Sequence, residues 1–317
     1  MEAELSARSG PFYRYSDYLR SRYGSRTYRV SVDAGFSCPN RRHDPLGRGC
    51  SYCDVDGSRA AYAPGLIDLE QQIHRGVRFL RRRYQAREFL LYFQAYTNTD
   101  AEVRDLAAVY DRCLGLYPFR ELIVSTRPDS LSEEKADLLA SYRNPERDVW
   151  VELGLQSADN STLRRIDRGH TVEDFGRAYA LLRRREIMVA VHLIFGLPGE
   201  GIAEVMRTVK YVASLHPQAI KIHNLVIPRN APLYDQFLQG EISEFGYRRH
   251  LEYTMRALEL LPESTIIMRL TCDMHSSRPG LPVKRWNKAR VYQDVERIMR
   301  ERGRRQGSAT REVIHAD

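Results

Sequence analysis

The chain has 317 residues, 43% of them hydrophobic, with five cysteines and 49 Lys and Arg against 41 Asp and Glu, a formal charge of +8. Such a length can bury a sizeable core, as one large α/β domain or two smaller ones. No apolar run approaches the roughly 18 residues of a membrane span, the opening "MEAELSARSGPFYRYSDYL" lacks the pattern of a secretion signal, and an odd handful of cysteines makes no disulfide framework; a cytoplasmic protein with reduced thiols and no membrane partner is expected.

Residues 1–26 read as an N-terminal segment. "TYRVSVD" (27–33) is the first predicted strand. The helix after it, "LIDLEQQIHRGVRFLRRRY", has Leu69, Ile73, Val77, Leu80 and Tyr84 on one face. "EFLLYFQ" (88–94) is the second strand, followed by a helix over 101–116 that groups Leu106, Tyr110, Cys113 and Leu114 and marks Cys113 as core. "ELIVST" (121–126), "DVWVELGLQ" (148–156), "IMVAVHLIFG" (187–196) and "AIKIHNLV" (219–226) are strands three to six, with helical stretches between them. Apolar strands alternating with helices predict an α/β fold with a parallel, helix-covered sheet, here a partial (βα)6 TIM-like barrel occupying 27–230. A C-terminal α/β extension follows over 231–302, with a helical pattern on Leu251, Met255 and Leu258, a short strand in "STIIMRL" and a last helix near 285–302. The polar residues 303–317 read as a disordered tail.

In such sheets chemistry collects where the strands end. After strand one comes "CPNRRHDPLGRGCSYC", a Cys38-x11-Cys50-x2-Cys53 loop bent by Pro39, Pro45, Gly47 and Gly49. Its spacing leaves three options open: an iron–sulfur cluster, a zinc knuckle with His43 as fourth ligand, or a Cys50/Cys53 dithiol. Strand four carries Glu152 at alternate spacing from Gly154 and Gln156, a buried charge that is costly without a partner and so reads as part of a site. His170, His192 and His223 read as satisfied core or site-wall residues. Arginine clusters at 81–83, 183–185 and among Arg300, Arg302, Arg304 and Arg305 admit an acidic partner such as RNA, or are solvated helix faces.

Five motifs in order, "CPNRRHDPLGRGCSYC", "YFQAYTNTD", "STRPDSL", "VELGLQSADNSTLRRIDRGH" and "HLIFGLPGE", resemble the YhcC-like group of radical S-adenosylmethionine (SAM) proteins over roughly residues 10–300. The wider class includes the Elongator catalytic subunit and the oxygen-independent coproporphyrinogen oxidases. The resemblance implies a barrel of the radical SAM type in which Cys38, Cys50 and Cys53 bind three irons of a 4Fe-4S cluster, and SAM chelates the fourth. Cleaving SAM would release a 5′-deoxyadenosyl radical that abstracts hydrogen from substrate. It also implies an electron donor such as flavodoxin or ferredoxin and, by analogy with Elongator, a tRNA nucleoside as substrate.

For SAM it implies Tyr52 beside the adenine, Gln156 and Arg168 on the ribose and methionine parts, and Gly196 flat against the adenine. Gln94, Thr97 and Asn98 stand where relatives bind the amino group with a glycine-rich turn, although the glycines are missing here. Ser125, Thr126 and Arg127 face SAM or substrate on this reading, or Thr126 and Asp129 help start the next helix. "RLTCD" places Cys272 where relatives carry glycine, as a hydrogen-atom donor or a passive small hydrophobe. No catalytic side chain is assigned. Two other readings stand beside this one: a small-molecule oxidoreductase of the coproporphyrinogen oxidase kind, and a non-catalytic, zinc-stapled RNA-binding protein.

Overall fold

The computed structural model describes residues 10–42, 47–53, 68–272 and 279–309. Its main sheet is wholly parallel and has seven strands in the order β1 (Thr27–Val32), β2 (Glu88–Phe93), β3 (Glu121–Thr126), β4 (Asp148–Gln156), β5 (Met188–Phe195), β6 (Ala219–Asn224) and β8 (Ile266–Arg269). The strand expected in the extension is therefore the seventh strand of the sheet. β7 (Ile227–Pro228) and β9 (Gly280–Leu281) form a separate antiparallel pair. The sheet curls into a half-barrel: Arg29 on edge strand β1 reaches Met268 on edge strand β8, with Nη2 3.3 Å from Sδ.

Alternation along the strands produces two cores. Outward residues such as Leu91, Phe93, Val124, Val151, Val191 and Ile222 pack under the helices, and Phe93 meets Tyr110 of helix Val103–Gly115 edge to face at 5.0 Å. Leu106, Cys113 and Leu114 are buried in the same layer, as their spacing predicts. Inward residues Leu90, Tyr92, Ile123, Trp150, Ala190 and Ala219 form the floor of the half-barrel. Burying each large side chain contributes about 1.5–3 kcal/mol, so both layers hold the sheet.

The N-terminal segment closes the end of the half-barrel where the strands begin. On helix Tyr15–Tyr23, Tyr18 packs edge to face on Trp150 at 5.8 Å, Arg22 pairs with Asp148 at 3.0 Å, and the Tyr23 hydroxyl donates to Glu121 at 2.8 Å. Tyr13 and Arg14 run beside β8, where the Ile267 N–H donates to the Tyr13 carbonyl at 2.7 Å. Among the described residues, access from the end where the strands begin is closed by this segment.

The expectation of disorder from 303 onward needs correcting for 303–309. Gln306 is 2% exposed; it accepts from the Tyr13 N–H at 2.8 Å and donates to the carbonyls of Pro262 and Thr265 at 2.6 and 2.8 Å. A polar composition could not reveal that one amide would serve three buried backbone groups. Residues 310–317 lie outside the described residues. Helix Tyr247–Leu260 buries Leu251, Met255 and Leu258, and lies against helices Ile202–Ser214 and Lys288–Glu301.

Candidate functional site

Cys38 leads into the helical turn Pro39–Arg42, whose Arg41 N–H donates to the Cys38 carbonyl at 2.9 Å. The other two thiols share a tight turn, with the Cys53 N–H donating to the Cys50 carbonyl at 2.8 Å. Backbone bonds from Ser51 to Ile166 and from Leu233 to Ser51 pin this turn over the mouth of the half-barrel. None of the five cysteines is in a disulfide. Among the described residues, no three His, Cys, Asp or Glu side chains stand close enough to share one metal ion. A single zinc draws its ligands to within about 2.3 Å of one point, whereas a multi-iron cluster gives each thiolate its own iron and tolerates wider spacing. The proposed fourth zinc ligand, His43, lies outside the described residues.

The sulfurs sit among cations and donors. Asn40 Nδ2 lies 3.3 Å from Cys50 Sγ, with Arg168 Nη1 and Arg127 Nη1 at 3.7 and 3.9 Å, and Arg41 Nη2 lies 3.3 Å from Cys53 Sγ. Burial opposes ionisation of Cys50, but the Arg168 and then the Arg127 guanidinium outweigh it and hold the thiol below its ordinary range. Burial, reinforced by the Cys50 charge, pushes Cys53 upward instead. Such surroundings suit an electron-rich thiolate centre.

Arg168 is 7% exposed and packs Nη2 on the Gly154 carbonyl at 3.0 Å and Nε on His170 Nε2 at 2.9 Å. Burial and then the Arg168 charge push His170 down to about 3, so it is neutral and accepts that proton. A bulge separates Gly154 from Gln156, which takes a positive φ of 74° and closes the strand end. A Cβ at Gly154 would stand 2.5 Å from Arg168 Nη2, so a larger residue would displace that guanidinium from its place. Tyr52 is half-buried against the apolar cluster that includes Leu163, Ile166 and Ile194, and lies within the field of Arg168 and Cys50.

After β2, Thr97 N–H donates to the Ser37 carbonyl at 3.2 Å, which ties this turn to the segment leading into Cys38. Asn98 Nδ2 bridges the carbonyls of Phe93 and Ser125 at 3.0 and 3.1 Å, while its buried Oδ1 has no partner among the described residues. Gln94 is half-buried beside them. The alternative helix-start role of Thr126 and Asp129 belongs to Ser132, which accepts from the Lys135 N–H at 3.3 Å. Thr126 instead meets Thr99, and Asp129 holds Arg127. The Cβ direction at Gly196 is filled by the Phe245 ring at 2.3 Å, which accounts for glycine and its φ of 92°.

Glu152 belongs to a deeper layer, four residues or about 13 Å along the strand from Gln156. Its carboxylate accepts from Arg29 at 2.7 Å, Tyr92 at 2.6 Å, Ser125 and His192 at 3.1 Å, and Lys221. Against the opposing effect of burial, Lys221 and Arg29 hold it well below the usual carboxylate range. Cys272 caps β8 and donates its N–H to Asn224 Oδ1 at 2.9 Å, at the same rim as the cysteine turn. Sequence reasoning left Asn40 and Arg41 without a role and placed Arg127 toward SAM or substrate. Their place beside the sulfurs depends on contacts between loops that are far apart in the chain.

The sequence model of the Radical SAM superfamily matches residues 46–212, and that of the Radical_SAM C-terminal domain matches 217–301. The chain is 35% identical to protein YhcC of Escherichia coli (strain K12) over 297 residues, 92% of this chain and 93% of that one. It is 30% identical to protein MJ0486 of Methanocaldococcus jannaschii over 300 residues, 94% and 92% of the two chains. A more partial match, 28% identical over 180 residues and covering 56% of this chain and 33% of the relative, is to a tRNA uridine(34) acetyltransferase of Methanocaldococcus infernus. Among solved structures, archaeal Elp3 of Methanocaldococcus infernus superposes with a TM-score of 0.70 at 20% identity, over 89% of this chain and 64% of that one, a likeness of fold.

Proposed function

The chain belongs to the radical SAM superfamily and is one of its enzymes, and from that premise we propose that Cys38, Cys50 and Cys53 hold its 4Fe-4S cluster at the mouth of the half-barrel. The family uses such a cluster with SAM, and when bound the pair supplies reductive cleavage of SAM to methionine and a 5′-deoxyadenosyl radical that takes a hydrogen atom from substrate. The single observation that carries the assignment is the buried Cys50 sulfur with the Arg168 and Arg127 guanidiniums turned toward it at 3.7 and 3.9 Å. Arg168, on this reading, also faces the SAM carboxylate. Gln156 lines the ribose side, Tyr52 and the Gly196 backbone flank the adenine, and Gln94, Thr97 and Asn98 take the amino end. The unpartnered Asn98 Oδ1 supplies an acceptor there. Glu152 supports the site from below through Lys221, His192 and Arg29. The electron donor is a flavodoxin or ferredoxin, in a cytoplasmic setting that keeps the thiols reduced.

The substrate reading is a tRNA nucleoside. Two observations support it: the partial similarity to a tRNA uridine(34) acetyltransferase and the +8 charge. The arginines suited to the phosphate backbone only partly coincide with the clusters: Arg82 belongs to the 81–83 group. Arg184 and Arg185 are engaged with Glu133 and Asp137, whereas Arg75, Arg78 and Arg82 are exposed along helix Leu69–Tyr84 beside the exposed Phe79.

The test is anaerobic reconstitution with reductant and SAM, followed by measurement of 5′-deoxyadenosine with and without bulk tRNA across a salt series. Stimulation by tRNA, with binding that falls linearly against salt on a log–log plot, supports the reading. SAM cleavage that tRNA does not stimulate removes RNA as substrate and leaves the small-molecule oxidoreductase. A protein that takes up zinc and no iron would overturn the cluster.

A further inference from the structure

Beneath the cysteine turn, β4, β5, β6 and β8 bring Gly154, His192, Lys221 and Arg269 into one row, each the register partner of the next. His223, two residues along β6, stacks its ring on His192 with centroids 5.4 Å apart. The row is rich in basic side chains. Arg29 and Lys221 are paired with one carboxylate, Glu152, and Arg269 stands close enough to oppose protonation of both Lys221 and His223.

Glu152 cannot serve them all. Five donors already converge on its two oxygens, from Arg29, Tyr92, Ser125, His192 and Lys221, and a carboxylate offers about four lone-pair sites. Two groups are left over. Among the described residues, the half-buried Arg269 guanidinium makes no ion pair or hydrogen bond, and His223 Nε2 is buried with no partner. A buried polar atom without a partner requires an explanation, and a half-buried guanidinium with no counter-charge favours an anion beside it.

We propose that Arg269 and His223, backed by Lys221 and His192, form an oxyanion subsite that anchors the carboxylate or phosphate of the substrate inside the half-barrel. The arrangement matches the chemistry of such a group: a planar guanidinium fork and an imidazole N–H converge on an acceptor with several lone pairs. The position matches as well. The row lies about 7 Å below the end of β4, two residues along the strand, and the opposite end is closed by helix Tyr15–Tyr23. An oxyanion seated there directs the rest of a small substrate, or of one nucleotide unit, up toward the cysteine turn. The assignment of this space to substrate rests on the radical SAM reading above; the anion affinity of the row does not.

Calorimetric titration of the reconstituted, SAM-loaded protein with inorganic phosphate and with acetate, at constant ionic strength and with chloride as reference, tests the subsite. At least one oxyanion should saturate above the chloride background, with phosphate indicating a phosphorylated substrate and acetate a carboxylate. Arg269→Gln and His223→Leu should each weaken that binding roughly tenfold or more, as loss of a charge-assisted hydrogen bond does. Arg183→Gln, on an exposed helix face, should leave it unchanged. SAM affinity in each variant verifies folding, and if His223→Leu fails that check, Arg269→Gln decides alone. The proposal is overturned if neither oxyanion binds better than chloride, or if Arg269→Gln binds like the parent. Repeating the titration without cluster or SAM separates the two readings, because the row should hold its oxyanion even if the cluster assignment fails.

Discussion

Arg127 donates through Nη2 to the backbone carbonyl of Arg168 at 2.6 Å, and so joins the loop after β3 to the loop after helix Asn160–Arg165. Asp129 clamps the same guanidinium at 2.8 and 2.9 Å and leaves Nη1 facing Cys50. One planar cation thus fixes the position of a second beside the buried sulfur. Replacing Arg127 with Met should shorten cluster retention under a chelator roughly tenfold, the scale seen when groups behind a metal ligand are lost. Lys should not restore it, because an ammonium cannot span Asp129, the Arg168 carbonyl and the sulfur together. The decay of visible absorbance under anaerobic conditions measures this, and parent-like retention in Arg127→Met would reduce the residue to a loop brace.

Changing Cys38, Cys50 or Cys53 to Ala should each abolish the visible absorbance of the anaerobically prepared protein. Cys113→Ala should keep it, since that thiol is buried under the sheet and pushed up to about 12 by burial. Full iron and sulfide in Cys50→Ala would sink the ligand assignment.

For Arg168→Ala, SAM affinity should fall by about 1.5–3 kcal/mol, the range for a charge-assisted hydrogen bond. Iron should still be taken up on reconstitution, because all three thiolates remain, although a chelator should strip it faster than from the parent, as in Arg127→Met, since a guanidinium beside Cys50 is lost. Calorimetric titration with SAM decides it, and unaltered affinity would leave Arg168 with Cys50 and the Gly154 carbonyl alone.

Glu121 is fully buried under the N-terminal helix, and burial pushes its carboxyl up to about 7 from an ordinary 4.5. The native state therefore holds this proton more tightly than the unfolded chain. Stability from this group is complete below pH 4.5 and declines as pH rises toward 7, by about 3 kcal/mol over the window. Glu121→Gln should flatten that part of the profile in urea titrations at several pH values. A profile with the parent slope would place the titration elsewhere.

Gln306→Ala should lower stability by about 3 kcal/mol, since it strands the buried Tyr13 N–H and two carbonyls. Chemical denaturation of the variant would reveal a tail without structural importance if the midpoint did not move.

Strand positions were legible because period-two apolar runs and helical spacing are local properties. All six expected strands occur within two residues of their expected bounds, and Ile73, Val77 and Leu80 face inward on one helix as their spacing requires. Tyr84 departs from that face: it is 39% exposed and stacks on Tyr28. The seventh strand was read as a strand, but its place beside β6 is a pairing across some forty residues that no local pattern encodes.

The same division runs through the site. The order and spacing of the cysteine loop, "STRPDSL" and "GLQS" were enough to assign chemistry to the strand ends, because a parallel sheet delivers every such loop to one rim. Which side chains then act on which depended on folding. Arg127 comes to Cys50 across 77 residues and Arg168 across 118. Arg29 and Lys221 meet at Glu152 only because the sheet curls. Sequence by itself determined the elements and the reactive loop, since both follow from short-range backbone and side-chain preferences. The charge balance around the sulfur and along the Arg269–His223 row was decided by tertiary structure alone, because electrostatic energy depends on distance and burial, and curvature sets both.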